Sequence, residues 1–239
     1  MTDFSVVLYT HNNVSDAIFN ASIMSVLQQA HPRQIYISTH RKIEHPFLKE
    51  AKQMPYIAPR QAPYNVNIYC QAMSALEIAP DGPVFLWEHD VLYPHDHYQT
   101  CLSSLQPGYV NYATNIWMLN ALGFWSYAPM RVQSMAFGMK KDMVNAFQKK
   151  LFAVKDDHST AEPIFDVGVS DDMYTPHYNN THEALDIRHT ANTTQTGTQR
   201  KAQRIVQQIP YWGRAKDLIE RLGLQETHNL VHHDNPPAD

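Results

Sequence analysis

Glu88, His89 and Asp90 place two carboxylates and an imidazole in consecutive positions, directly after the apolar run Val84-Phe85-Leu86-Trp87. Carboxylates on a tight turn suit a hard divalent cation, Mg2+ or Mn2+, which takes a few protein oxygens and keeps positions open for phosphate and water. Asp90 is the expected direct ligand, with Glu88 supporting it by holding ligand waters or a ribose. The plain alternative is a pair of solvated acids at a strand end. A second metal chemistry competes, because His89, Asp90, His95, Asp96 and His97 crowd together. Imidazole with carboxylate is a common transition-metal set for hydrolysis.

These residues need a scaffold, and the pattern supplies one. Phe4 to Tyr9 is a short apolar run that stops at Thr10-His11-Asn12-Asn13, as a strand entering a loop does. Ser15 and Asp16 can cap a helix whose apolar face is Ile18, Ala21, Ile23, Val26 and Leu27, ending near Gln29. Gln34 to Thr39 reads as a second strand. Strand, helix and strand in that order make a parallel pair with a crossover helix.

A helix is expected over Asn65 to Ala79, and the Pro80-Asp81-Gly82-Pro83 turn then launches the strand that ends in Glu88-His89-Asp90. Ligands of open α/β sheets gather outside the carboxyl ends of the strands, so the loops after Tyr9, Thr39 and Trp87 should share one crevice. Val132 to Met139 reads as a strand and Lys141 to Ala153 as a helix. Asp156 to His189, rich in Asp, His, Tyr and Pro, reads as a functional loop region. Thr198 to Gln208 and Gly213 to Leu222 have amphipathic helical spacing, broken at Pro210.

This order of parts resembles the family-2-like GT-A glycosyltransferases. The resemblance rests on a first strand ending in a Thr/Asn loop, Gln28 before the second strand, Asn67 in the helix before a buried strand, and the acidic motif some eighty residues in. It spans roughly residues 4–190, and only Asn65 to Tyr98 is specific in detail. Family members carry Asp-x-Asp where this chain has Glu-His-Asp. Tyr93-Pro94 is better matched by small phage-type relatives that act on hydroxymethylated pyrimidines in DNA.

The resemblance implies a three-layer α/β/α sandwich with a mainly parallel sheet as a catalytic domain over 1–197, and the amphipathic spacing beyond it reads as a C-terminal helical extension over 198–225 followed by a disordered tail over 226–239. The resemblance implies a metal-dependent transfer of a sugar from a nucleoside diphosphate, with UDP the expected nucleotide, to a hydroxyl. It further implies His189, in Asp186-Ile187-Arg188-His189-Thr190, as a metal ligand, with Arg188 or Asn192 on phosphate or sugar. Asp172 or Asp171 would take the acceptor proton, although Ser170-Asp171-Asp172 also suits a plain helix N-terminus. Thr10, His11, Asn12 and Asn67 are expected around the nucleotide, with Arg41 and Arg60 reaching phosphate. Trp117 and Phe124-Trp125-Ser126-Tyr127 offer either a stacking wall or ordinary core.

The acceptor expected from the phage-type relatives is DNA. Arg200, Lys201, Arg204, Arg214, Lys216 and Arg221 give a local basic patch for it, although a solvated helix face explains such runs equally well. Glycans and small molecules are the alternative acceptors, and the His/Asp hydrolase is the alternative enzyme. The whole chain is no polyanion binder, since 19 basic and 23 acidic residues leave a net charge of −4. Its 239 residues, 44% hydrophobic, suffice for one substantial core. Two distant cysteines, no basic-then-apolar leader and no apolar stretch near bilayer length point to a cytoplasmic protein without membrane contact.

Overall fold

The computed structural model describes residues 3–57, 64–126, 132–156, 177–178, 182–189 and 205–224. The first strands are buried on both faces, which is why they read as unbroken apolar runs rather than alternating ones. β1 (Ser5–Thr10) pairs in parallel with β2 (Ile35–Thr39) on one side, and β2 with β3 (Lys52–Pro55). On its other side β1 pairs in parallel with β4 (Pro83–Glu88). The crossover helices are α1 (Asp16–Leu27), capped by the Ser15 side chain on the Ile18 amide, and α2 (Tyr64–Ile78).

Strand parity sorts the side chains into two layers. Val6, Leu8, Phe85 and Trp87 face Ile23 and Val26 of α1, together with Tyr98 and Cys101 of α3 (His97–Ser103). Val7, Tyr9, Val84 and Leu86 face Ala72, Ala75 and Leu76 of α2. The same layer takes Met143 and Phe147 of α4 (Lys140–Asp156). Each fully buried apolar side chain of this kind contributes about 1.5–3 kcal/mol by leaving water. The alanines of α2 let its axis lie close against β1 and β2.

After β5 (Val91–Leu92), the chain completes two sheets. β6 (Asn111–Ala113), β9 (Ala136–Met139) and β10 (His177–Tyr178) extend the first sheet to the order β10-β6-β9-β4-β1-β2-β3, in which β9 alone runs against its neighbours. β7 (Ile116–Asn120), β8 (Gly123–Ser126) and β11 (Ala184–Ile187) join β5 in a second sheet, ordered β5-β11-β7-β8. A short ribbon of β12 (Gln208–Ile209) and β13 (Gly213–Arg214) leads into α5 (Ala215–Leu222). Leu218 and Leu222 of α5 close the second sheet over Leu92, Leu119, Phe124, Leu185 and Ile187.

Three elements differ from the sequence reading. Val132 to Met139 is a single 3-10 turn, Gln133–Met135, followed by a four-residue strand. Asp156 to His189 is not all loop, because Ala184–Ile187 is a fully buried strand gripped between β5 and β7. The described end of the expected helix Thr198 to Gln208 is extended, since Val206 exchanges both backbone hydrogen bonds with Phe124 (2.8 and 2.9 Å) and Gln208 enters β12. Those ladder bonds outweigh a local helical preference. The C-terminal part of Gly213 to Leu222 is helical, as its spacing suggests.

Candidate functional site

The parallel register brings Thr10 level with Thr39 and Tyr9 level with Glu88, so three strand-end loops open on one edge. Asn12 ties two of them together. Its Oδ1 accepts from Thr39 Oγ1 (2.8 Å) and the Arg41 amide (3.0 Å), and its Nδ2 donates to the Arg41 carbonyl (3.2 Å). Its φ of 62° is left-handed, a conformation asparagine tolerates better than most residues. Thr10 is buried, and its Oγ1 accepts from the Asn12 amide (3.0 Å). Arg41 is exposed beside this knot.

Beneath the loops, buried Gln71 donates to the carbonyls of Thr10 (2.6 Å) and Ser38 (3.0 Å), satisfying the ends of β1 and β2. Asn67, one turn earlier on α2, accepts from the Tyr56 hydroxyl at 3.4 Å.

The turn after β4 is held from α1 by a polar stripe. Ser22 accepts from Trp87 Nε1 (2.8 Å) and donates to the Val91 carbonyl (2.7 Å). Ser25 accepts from the Tyr93 amide (3.1 Å), and Gln29 donates to the Pro94 carbonyl (2.7 Å) while accepting from the Tyr98 amide (2.9 Å). With its backbone pinned, the turn presents His89 and Asp90, both buried.

β11 delivers the third side chain. The Ile187 amide donates to the Asp90 carbonyl (2.9 Å) and the Arg188 amide to the Leu119 carbonyl (2.8 Å), which sets His189 Nε2 3.3 Å from Asp90 Oδ2. One donor atom from each of His89, Asp90 and His189 falls within 4.8 Å of the others. His11 stands edge-on to His89, with ring centroids 4.7 Å apart. Burial lowers the pKa of His89 to about 4 against the opposing pull of Asp90, and it lowers that of His11 as well. His89 is therefore neutral at physiological pH, the state a metal requires of imidazole. Both of its ring nitrogens are buried without a hydrogen-bond partner among the described residues. An orphaned, neutral imidazole beside a carboxylate and a second imidazole fits a divalent cation, and nothing else described there satisfies it.

Glu88 points the other way. Strand parity puts it on the α2 side, where it accepts a hydrogen bond from Tyr9, its neighbour across the sheet, outside the three-residue group. Arg188 is ion-paired to Asp186 at 2.7 Å, so its guanidinium is held within the wall of the site. Burial pushes the Asp186 carboxyl up while Arg188 pulls it down. Asp171, Asp172, Arg60, Asn192, Arg200, Lys201, Arg204 and Tyr127 lie outside the described residues. Arg214 is bonded twice to Asp217, both at 2.9 Å, and Lys216 is exposed. Phe124 is fully buried core and Trp117 packs against that same cluster.

The five residues proposed for a hydrolase are divided. His89 and Asp90 belong to the buried group, whereas His95 and Asp96 gather with His182 in another. His97 is sealed among Phe85, Tyr93 and Tyr98, its pKa lowered to about 3 by burial. The α1 stripe and Gln71 were not singled out from sequence, and His89 was named as a ligand only in the hydrolase reading. In the glycosyltransferase reading its place between two acids that normally do the work masked it.

The sequence matches no protein-family profile and no curated protein. Its fold does match solved structures. Residues 1–349 of S. aureus TarS in complex with UDP-GlcNAc align over 78% of this chain and 59% of that one, at 10% identity and a TM-score of 0.50. A longer S. aureus TarS structure aligns over 80% and 37% at 10% identity, with a TM-score of 0.45. Mannose-1-phosphate geranyltransferase from Thermus thermophilus aligns over 78% and 74% at 9% identity, with a TM-score of 0.41. The chain thus spans little more than half the length of the TarS structure it matches at 0.50. No described helix is long and apolar enough to cross a membrane. With helices on both faces of a mainly parallel sheet and this likeness to a sugar-nucleotide complex, the chain has the α/β GT-A fold of glycosyltransferases.

Proposed function

We propose that this protein is a glycosyltransferase that takes a sugar from a nucleoside diphosphate, UDP being the preferred nucleotide, and uses a divalent cation held by Asp90, His89 and His189. The observation that carries this reading is the buried group of two imidazoles and a carboxylate at the carboxyl end of β4. A bound Mn2+, which accepts imidazole beside carboxylate more readily than Mg2+ does, would offset the charge that builds on the diphosphate as the glycosidic bond breaks.

The chain's own residues do the remainder. Asp90 supplies the carboxylate, and His189 brings its Nε2 to 3.3 Å from that carboxylate. His89, held neutral by burial, offers a lone pair without first losing a proton. The Asn12 knot fixes the loop carrying Thr10 and His11 against the loop carrying Arg41, a ready wall for base and ribose with a cation at the phosphate side. Glu88, at the end of β4, and Asn67, on α2, flank that wall from the α2 side of the sheet, and Arg60 and Arg188 complete the proposed donor contacts. Asp172, with Asp171 beside it, is proposed as the base that receives the acceptor's hydroxyl proton as its oxygen attacks the anomeric carbon and the nucleoside diphosphate departs.

For the acceptor we take a hydroxymethylated pyrimidine in DNA, on the strength of the phage-type sequence resemblance and the basic run Arg200, Lys201, Arg204 and Lys216. A glycan or small-molecule hydroxyl is the outcome the same assay would reveal instead.

The test is a release assay for free nucleotide with a panel of UDP-sugars, with and without Mn2+, against hydroxymethylcytosine and hydroxymethyluracil DNA and simple glycans. Asp90→Ala should reduce turnover at least 100-fold, about 2.7 kcal/mol in barrier, while the melting temperature stays within a few degrees. Full turnover by Asp90→Ala, or phosphoester cleavage without any sugar donor, would refute the assignment.

A further inference from the structure

A second cluster of metal-binding side chains stands at the far end of the ribbon that builds the first. β5 and β11 run antiparallel, with Leu92 opposite Leu185 and Val91 opposite Asp186. One end of this ribbon carries Asp90 and His189. Three residues outward from the Leu92–Leu185 pair, the other end carries His95 and His182. Their rings lie 5.4 Å apart at 35°, and Asp96 brings a carboxylate oxygen, so that one donor atom from each residue falls within 4.8 Å of the rest.

Tyr211, in the turn between β12 and β13, braces the group. Its ring stacks on His182 (4.7 Å, 26°) and on His95 (5.6 Å, 21°). Its hydroxyl oxygen lies 3.1 Å from both the His95 amide and His95 Nδ1. A phenol oxygen can accept both of those N–H bonds, and that tautomer leaves the lone pair of His95 on Nε2. Metal-ligating histidines are oriented in this way, by an outer oxygen on the other ring nitrogen.

We propose that His95, Asp96 and His182 form a separate binding site for a transition-metal dication of the zinc class, which clasps the end of the β5–β11 ribbon to the β12–β13 turn. Two imidazoles and a carboxylate, with a fourth position left to water, are the donor set that zinc accepts readily and that Mg2+ does not. Metal–nitrogen bonds of about 2.1 Å put each ring centroid roughly 3.3 Å from a shared ion, so centroids 5.4 Å apart subtend roughly 110°, close to tetrahedral.

The site joins three stretches distant in sequence. Trp212 adds to that join, since its Nε1 donates to the Glu183 carbonyl at 2.8 Å. Six residues of β11 and its flanks separate His182 from His189, so that seven steps of extended chain span roughly 23 Å. The clasp therefore fixes the ribbon's register from a distance and takes no part in the crevice. It stands whether or not the protein transfers sugars.

The test uses the full-length chain carrying Asp90→Ala, so that the crevice group is disabled. Zinc binding is read by competition with a chromogenic chelator, and Co2+ substitution by its visible absorption. Asp90→Ala should keep a zinc ion with tetrahedral cobalt bands, and its melting temperature should rise on zinc addition. Adding His182→Ala should weaken zinc at least tenfold, remove those bands and abolish the thermal shift. Should the double variant lose its cooperative melt in chelator, Asp90→Ala with His95→Gln replaces it, because His95 is exposed and its exchange spares the core. Zinc affinity unaltered by either second substitution, or no zinc bound to Asp90→Ala at all, overturns the proposal.

Discussion

The two ends of the β5–β11 ribbon carry the same residue types, two histidines and an aspartate, in opposite surroundings. At the crevice end the Asp90 and His189 side chains are 6% and 8% exposed, and His89 is buried with them. At the other end His95 is exposed and Asp96 and His182 are half-buried. Desolvation settles the protonation of His89 and leaves its nitrogens unanswered, a cost that only a bound group can offset. At the outer end the His95 ring stands in solvent. The difference shows that composition does not assign chemistry to a cluster. What does is its place: one lies outside the carboxyl ends of parallel strands, where substrates collect, and the other lies where the ribbon meets a turn.

The largest effect that can break this contrast comes from His89→Phe. Phenylalanine keeps the ring and removes both nitrogens, so sugar-nucleotide turnover should fall by about 1,000-fold, roughly 4 kcal/mol in barrier. Stability should not fall with it. Replacing an unanswered buried polar group by an apolar one of similar shape is neutral or favourable by about 1 kcal/mol. The same exchange at exposed His95, melted in chelator, should change stability by less than about 0.5 kcal/mol. Turnover assays and urea melts on the two variants measure both quantities. A His89→Phe protein that is destabilised yet active would show that the buried ring serves packing alone.

A smaller effect tests whether the ends are linked. Leu185 is fully buried at the centre of β11, opposite Leu92 and packed with Phe124 and Leu218. Leu185→Ala should cost about 3 kcal/mol in urea unfolding through the cavity it leaves. If the ribbon couples the ends, it should also weaken zinc at the outer cluster and Mn2+ at the inner one in the same variant. Loss at only one end would make the clusters independent.

Much of this arrangement could be read from sequence because the elements that hold it are of the legible kind. β1, β2 and β4 are continuous apolar runs ended by polar loops, and Pro80-Asp81-Gly82-Pro83 marks the start of β4 without ambiguity. Asp90 is named for its carboxylate on a strand-end turn and His189 for its place in the chain, and the two side chains lie 3.3 Å apart. β11 escaped because it is only four residues long and carries Asp186, whose burial is answered by Arg188 two positions on. The helix pattern from Thr198 to Gln208 misled at its C-terminal end because Val206 finds a ladder partner in Phe124, eighty-two positions away in sequence. Ser22 and Ser25 on α1, with Gln29 just past its C-cap, form a polar stripe that pattern reading treats as solvent-facing, whereas they bond the backbone of the turn that carries the site.

The smallest predicted effect concerns the acid that stands apart from the inner cluster. Tyr9 donates to Glu88 across the β1–β4 pair, on the α2 side of the sheet, while Asp90 continues towards the histidines. Tyr9→Phe removes one hydrogen bond to a carboxylate at a half-buried position, and it should lower stability by about 1–2 kcal/mol. Its kinetic signature separates two roles for Glu88. If Tyr9 aims Glu88 at the donor's ribose, the contact is made equally in ground and transition states, so KM for the sugar nucleotide should rise severalfold with kcat unchanged. If the pair only joins the ends of two strands, KM should stay where it was and the stability loss should stand alone. The first result would extend the inner site across the sheet to its α2 face; the second would confine it to the three residues at the ribbon's buried end.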